Sequence, residues 1–119
     1  MFTFPRLMNF LENKMVNPDL ATALIGFKDN IMADYYKKWA PETNVPESER
    51  FNVEFEEGSK YVKVVSISWS SRSVHSFVEK KTGDIWKAAS WKAPARNFSR
   101  GNVFDAKSYL PRVSWTGVV

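Results

Sequence analysis

The sequence predicts an α+β domain over residues 1–119, with two N-terminal helices followed by an antiparallel four-stranded β-meander. The meander becomes five-stranded if Arg112 to Val118 adds a last edge strand. Three observations predict this class. Asn17-Pro18-Asp19 separates two stretches with apolar residues at helical spacing. Phe51, Val53 and Phe55 then alternate with Asn52, Glu54 and Glu56. Short β-branched runs follow, separated by turn residues at Glu57-Gly58-Ser59 and Lys81-Thr82-Gly83.

The first helix is expected from about Pro5 to Met15, with Leu7, Met8, Phe10, Leu11 and Met15 on one side. Pro5 suits its first turn, where a missing N–H costs nothing. Asn17 then caps the second helix, Pro18 opens it and Asp19 meets its dipole. Leu20, Leu24, Phe27, Ile31 and Tyr35 form its apolar stripe, and Ala40-Pro41 ends it. Pro41 to Glu49 is polar and aperiodic, a connecting loop.

The strand at Phe51, Val53 and Phe55 has one buried face and one acidic face. Lys60 to Trp69 carries apolar residues on both faces and reads as a central strand. Ser70 to Arg72 turns the chain, and Val74 to Glu79 is the third strand. Lys80-Lys81-Thr82-Gly83 is a hairpin loop with glycine where positive φ is needed. The fourth strand is expected from Asp84 to Trp91, with Trp86 and Trp91 on opposite faces. Loops this short make the strands sequential neighbours. Beyond Trp91 the periodicity fails: Ala93-Pro94-Ala95 and Ser99-Arg100-Gly101 read as extended, with a short helical turn between Asp105 and Leu110.

Composition narrows function mainly by exclusion. The absence of cysteine excludes a disulfide scaffold, a thiolate zinc site and a thiol nucleophile. No stretch approaches the roughly 20 apolar residues of a membrane span, and Met1 to Leu11 lacks the pattern of a signal peptide. A cytoplasmic protein without membrane contact is expected. There is no Gly-rich phosphate loop, no histidine pair at metal spacing and no nucleophile elbow. His75 is the sole histidine, and its neighbour Ser76 is expected on the opposite face of the strand. Glu54, Glu56 and Glu57 read as a solvated acidic edge rather than a cation site. No catalytic residue or cofactor is assigned; a small hydrolase or metal enzyme is the least favoured reading and would need a pocket in which His75 meets a carboxylate.

Charge is unevenly placed. Residues 1–57 contain six basic and ten acidic side chains, a balance of −4, whereas residues 58–119 contain eleven and three, a balance of +8. Either the halves complement each other where they pack, or the basic half meets an anionic partner. Trp86, Lys87, Trp91, Lys92, Arg96, Phe98 and Arg100 interleave aromatics with cations. That combination binds single-stranded nucleic acid, because aromatic faces stack bases while cations follow phosphates. Lys87, Trp91, Lys92, Arg96 and Arg100 are therefore the candidate binding residues, with Lys63, Arg72, Lys80 and Lys81 extending the surface. The alternative is an interaction module that docks exposed aromatics on a second copy or on another protein.

The stretch Phe77-Val78-Glu79-Lys80-Lys81-Thr82-Gly83-Asp84-Ile85-Trp86-Lys87-Ala88-Ala89-Ser90-Trp91-Lys92-Ala93-Pro94-Ala95, followed by Arg100-Gly101-Asn102-Val103-Phe104-Asp105, resembles a segment of small uncharacterised proteins of tailed bacteriophages and marine phage-rich metagenomes. The resemblance covers about the C-terminal third and carries no assigned activity or site residue. It implies a phage accessory protein in an infected bacterium, with a partner in phage DNA metabolism or a host protein as its target.

Overall fold

The computed structural model describes residues 18–39, 50–68 and 70–119. One long helix, α1 (Pro18–Trp39), precedes an antiparallel sheet of β1 (Asn52–Glu57), β2 (Tyr61–Ser68), β3 (Ser71–Glu79), β4 (Ile85–Ala88) and β5 (Pro94–Ala95), in that spatial order. A short helix α2 (Ala106–Tyr109) and a two-stranded hairpin, β6 (Val113–Ser114) with β7 (Gly117–Val118), complete the chain. The helix expected from about Pro5 to Met15, the Asn17 cap and the Pro41–Glu49 loop lie outside the described residues. No described helix is long and apolar enough to cross a membrane.

The apolar stripe of α1 forms as its spacing dictates. Leu20, Leu24, Phe27, Ile31 and Tyr35 are all buried against Val53, Phe55, Val62, Val64 and Val78 of the sheet. The C-terminal segment closes the end of this core. Phe27 meets Tyr109 edge to face at 4.9 Å, and Tyr35 stacks on Phe51 at 4.6 Å while its edge meets Trp115. Two polar ties hold that segment to the helix. Asn30 donates to the Tyr109 hydroxyl at 2.8 Å, and the Trp115 N–H donates to Asp34 at 2.9 Å.

Four expectations about the strands need correction. β3 begins at Ser71 rather than Val74, because the turn narrows to Ser70 at a φ of 72°. β4 ends at Ala88 rather than Trp91: Ala89 and Ser90 both donate to the Ala93 carbonyl, and that tight turn takes Trp91 out of the strand. The fifth strand is Pro94–Ala95, paired with Lys87 and Ala88, whereas residues 112–118 fold back on themselves as the separate β6–β7 hairpin. Finally, β3 contains a bulge. Val64 pairs with Ser76 and Val65 with Val74, which leaves His75 as the extra residue. Strict alternation fails there, and His75 to Glu79 are all buried.

Candidate nucleic-acid interface

The register divides the sheet into two faces. Val53, Phe55, Val62, Val64, Val78 and Ile85 face α1. Glu54 and Glu56 of β1, Tyr61, Lys63 and Val65 of β2, Phe77 and Glu79 of β3, and Trp86 of β4 occupy the other face. Here the acidic and basic parts of the sequence meet. Arg72 donates to Glu54 at 3.1 Å and to Glu56 at 2.8 Å, Lys63 lies 3.7 Å from Glu56, and Lys80 pairs with Glu57. The hydrogen bond to Glu54, then that to Glu56, raises the pKa of the Arg72 guanidinium. Part of the charge asymmetry is thus consumed in holding β1, β2 and β3 side by side.

The five candidate residues have different fates. Arg96 lies over the Trp86 ring at 4.4 Å, donates to the Tyr61 hydroxyl at 2.8 Å and pairs with Glu79 at 3.3 Å. Trp86 in turn donates its indole N–H to Glu79. Arg96 is a clasp on this face, and the Tyr61 bond is the largest cause of its raised pKa. Arg100 is buried beside Phe98. Lys87 is exposed on the side of Ile85, away from Trp86. Trp91 and Lys92 come together with β2: the Lys63 ammonium sits 4.1 Å from the Trp91 ring centroid, and Lys92 lines a groove with Lys63. The turn after Ala88 therefore places Trp91 on the same face as Trp86, contrary to the opposition expected from an unbroken strand.

That groove is the cavity of interest. It has a volume of about 290 Å³ and runs from the β1–β2 turn at Glu57, Gly58 and Ser59 across Tyr61 and Phe77 to Lys92. Tyr61 meets Phe77 edge to face at 6.0 Å. Trp91 remains 41% exposed beside it. Two carboxylates line the groove, but Arg72 and Lys63 engage Glu56 and Lys80 engages Glu57. Lys60 and Lys92 have no ion pair among the described residues, so the groove is net cationic. Nothing local in the sequence links Lys60 and Tyr61 to Trp91, so their place beside the groove is decided by strand pairing.

His75 and Ser76 are side by side rather than on opposite faces, because the bulge turns both toward α1. The His75 Nε2–H donates to the Ser114 carbonyl at 2.8 Å, which leaves Nδ1 to accept from the Ser76 hydroxyl at 2.9 Å. Burial pushes the imidazole pKa down to about 4. The ring is 3% exposed, packs against the edge of Phe27, and has no carboxylate partner among the described residues. No group of three or more potential metal ligands occurs among the described residues.

A family model described as "Family of unknown function (DUF7717)" matches residues 7–119. No curated protein and no solved structure matches the chain.

Proposed function

This chain belongs to the family of unknown function DUF7717, and we propose that it binds single-stranded nucleic acid on the sheet face opposite α1. The observation that supports this reading is the groove itself: Tyr61 and the exposed Trp91 supply stacking surface, and Lys60 and Lys92 supply cations beside carboxylates already engaged by Lys63, Arg72 and Lys80. Bases stack on aromatic faces without regard to sequence, and lysines follow the phosphates. Little sequence preference and a marked salt dependence are expected.

Fluorescence anisotropy with a labelled oligonucleotide tests this. Trp91→Ala should weaken binding by about 1–3 kcal/mol, the usual worth of one stacked base. Replacing both Lys60 and Lys92 with alanine should flatten the dependence on salt by about 1.4 in slope, at about 0.7 per phosphate contact. Absence of binding at low salt, or binding indifferent to Trp91→Ala, defeats the proposal.

A second reading draws on a different observation. Phe98, Phe104, Leu110 and Val119 are large apolar side chains left exposed by the C-terminal segment, which suits contact with a second copy or with a host protein. Sedimentation across a concentration series separates a self-associating chain from a monomer. Either activity fits an accessory protein in the cytoplasm of an infected bacterium, the setting that the resemblance to phage proteins implies.

A further inference from the structure

Arg100 has an unusual environment for a cation. The residue is 4% exposed, and its backbone N–H is fixed to the Ile85 carbonyl at 2.7 Å. Its guanidinium lies 3.7 Å from the Phe98 ring centroid. Nη1 donates to Asn97 Oδ1 and to the Phe98 carbonyl, both at 2.7 Å. Nε is buried with no acceptor, and Nη2 makes no hydrogen bond among the described residues. No carboxylate pairs with the group: the ion pairs of the described residues involve Lys38, Lys63, Arg72, Lys80 and Arg96.

A buried charge without a counter-charge is destabilising, and a guanidinium does not lose its proton to escape burial. The two idle positions are also informative. Nε–H and the adjacent Nη2–H point the same way and form the fork that meets two oxygens of one oxyanion. A second guanidinium, that of Arg112, lies 5.5 Å from the centroid of the same Phe98 ring. One of its N–H groups donates to the Val119 main-chain oxygen at 3.1 Å.

We propose that Arg100, with Phe98 and Arg112, forms a receptor for a phosphate group, held by the Nε/Nη2 edge of Arg100. A phosphate presents two oxygens to that fork and carries more charge than a carboxylate, which suits a buried guanidinium without a counter-charge among the described residues. Asn97 and Phe98, in the exposed turn of residues 96–99, hold Nη1 and leave the Nε/Nη2 edge unengaged among the described residues. This site is distinct from the sheet-face groove and does not rest on the reading given to that groove.

The test uses the full chain with inorganic phosphate, read by thermal unfolding against sodium chloride at equal ionic strength and by the Arg Nε–H resonance in ¹⁵N-correlated NMR. A saturable rise in Tm with a midpoint on the order of 1 mM is expected, with a shift of the Arg100 resonance at the same midpoint. Arg100→Lys keeps the charge but lacks the fork and should raise that midpoint about ten-fold or more. Trp91→Ala should leave it unchanged. If phosphate also displaces an oligonucleotide, the natural ligand is a nucleic-acid phosphate; if it binds without displacing one, the ligand is a small phosphorylated molecule. No saturable response, or one that Arg100→Lys retains, overturns the proposal, and the wild-type resonance decides the matter alone if that variant does not fold.

Discussion

Gly101→Ala should destabilise the protein by about 3 kcal/mol or more, the sum of backbone strain and overpacking. Gly101 adopts a φ of +129°, a region that residues with a Cβ rarely occupy. An added Cβ would meet Tyr109 Cβ at 2.8 Å, the Ser108 carbonyl at 2.9 Å and Tyr109 Cα at 2.9 Å. These are mostly backbone atoms of α2 and its neighbourhood, and Tyr109 is locked between Phe27 and the Asn30 amide. Nothing there gives way cheaply. Because the Gly101 carbonyl also accepts from Ile85, displacement would reach β4. Gly83→Ala offers the comparison. Its φ is +85° and its Cβ would strike the Phe104 ring at 2.7 Å, but Phe104 is exposed and can swing aside. That variant should cost only about 1–2 kcal/mol, mainly backbone strain. Urea denaturation of the two variants checks both the size and the order, and equal losses would refute the packing argument.

Acidification should remove about 3 kcal/mol of stability between roughly pH 6.5 and 4, through His75 alone. The unfolded imidazole takes a proton near its ordinary pKa of 6.5, while the buried one resists until about 4. Within that window the unfolded chain binds more protons than the folded one, so stability falls as pH falls and this contribution levels off below about 4. Around the ring stand Ser76, the Ser114 carbonyl and Phe27, none of which supplies a negative charge to hold a protonated imidazole. The carbonyl offsets part of the burial but leaves the shift downward. In His75→Gln, whose amide can still donate to Ser114, the fall across this window should be largely absent. Chemical denaturation at pH 7, 5.5 and 4 measures it, and parallel pH profiles for the two proteins would rule His75 out as the cause.

Several features were readable from residue order because their causes are local. The α1 stripe is a spacing of three and four, and every member is buried. Asp105 caps α2 by accepting from the Lys107 N–H, close to where a helical turn was expected. The hairpin glycine Gly83 has positive φ, as its place after Lys81-Thr82 requires. The candidate site was only partly readable. Trp91 and Lys92, adjacent in the chain, lie together beside the groove, whereas Arg96 and Arg100, part of the same run of aromatics and cations, are held by other protein groups. Composition cannot separate these cases, because a cation facing solvent and one folded back on a ring are identical in the sequence.

By itself, then, the sequence determined the α1 stripe, the alternation of β1, the meander order and the uneven charge, all properties of periodicity, turn chemistry and counting. Tertiary structure decided the rest. The bulge at His75 arises from pairing with β2, and it turns His75 and Ser76 inward together. The turn beyond Ala88 brings Trp91 onto Lys63, a residue on another strand. Glu54, Glu56 and Glu57 neutralise Arg72, Lys63 and Lys80 only because β1, β2 and β3 lie side by side. Among the cations of the +8 half that those contacts leave over are Lys60 and Lys92 at the groove, and Arg100, buried without a counter-charge among the described residues. Periodicity is a property of neighbours along the chain, and charge compensation is a property of neighbours in space.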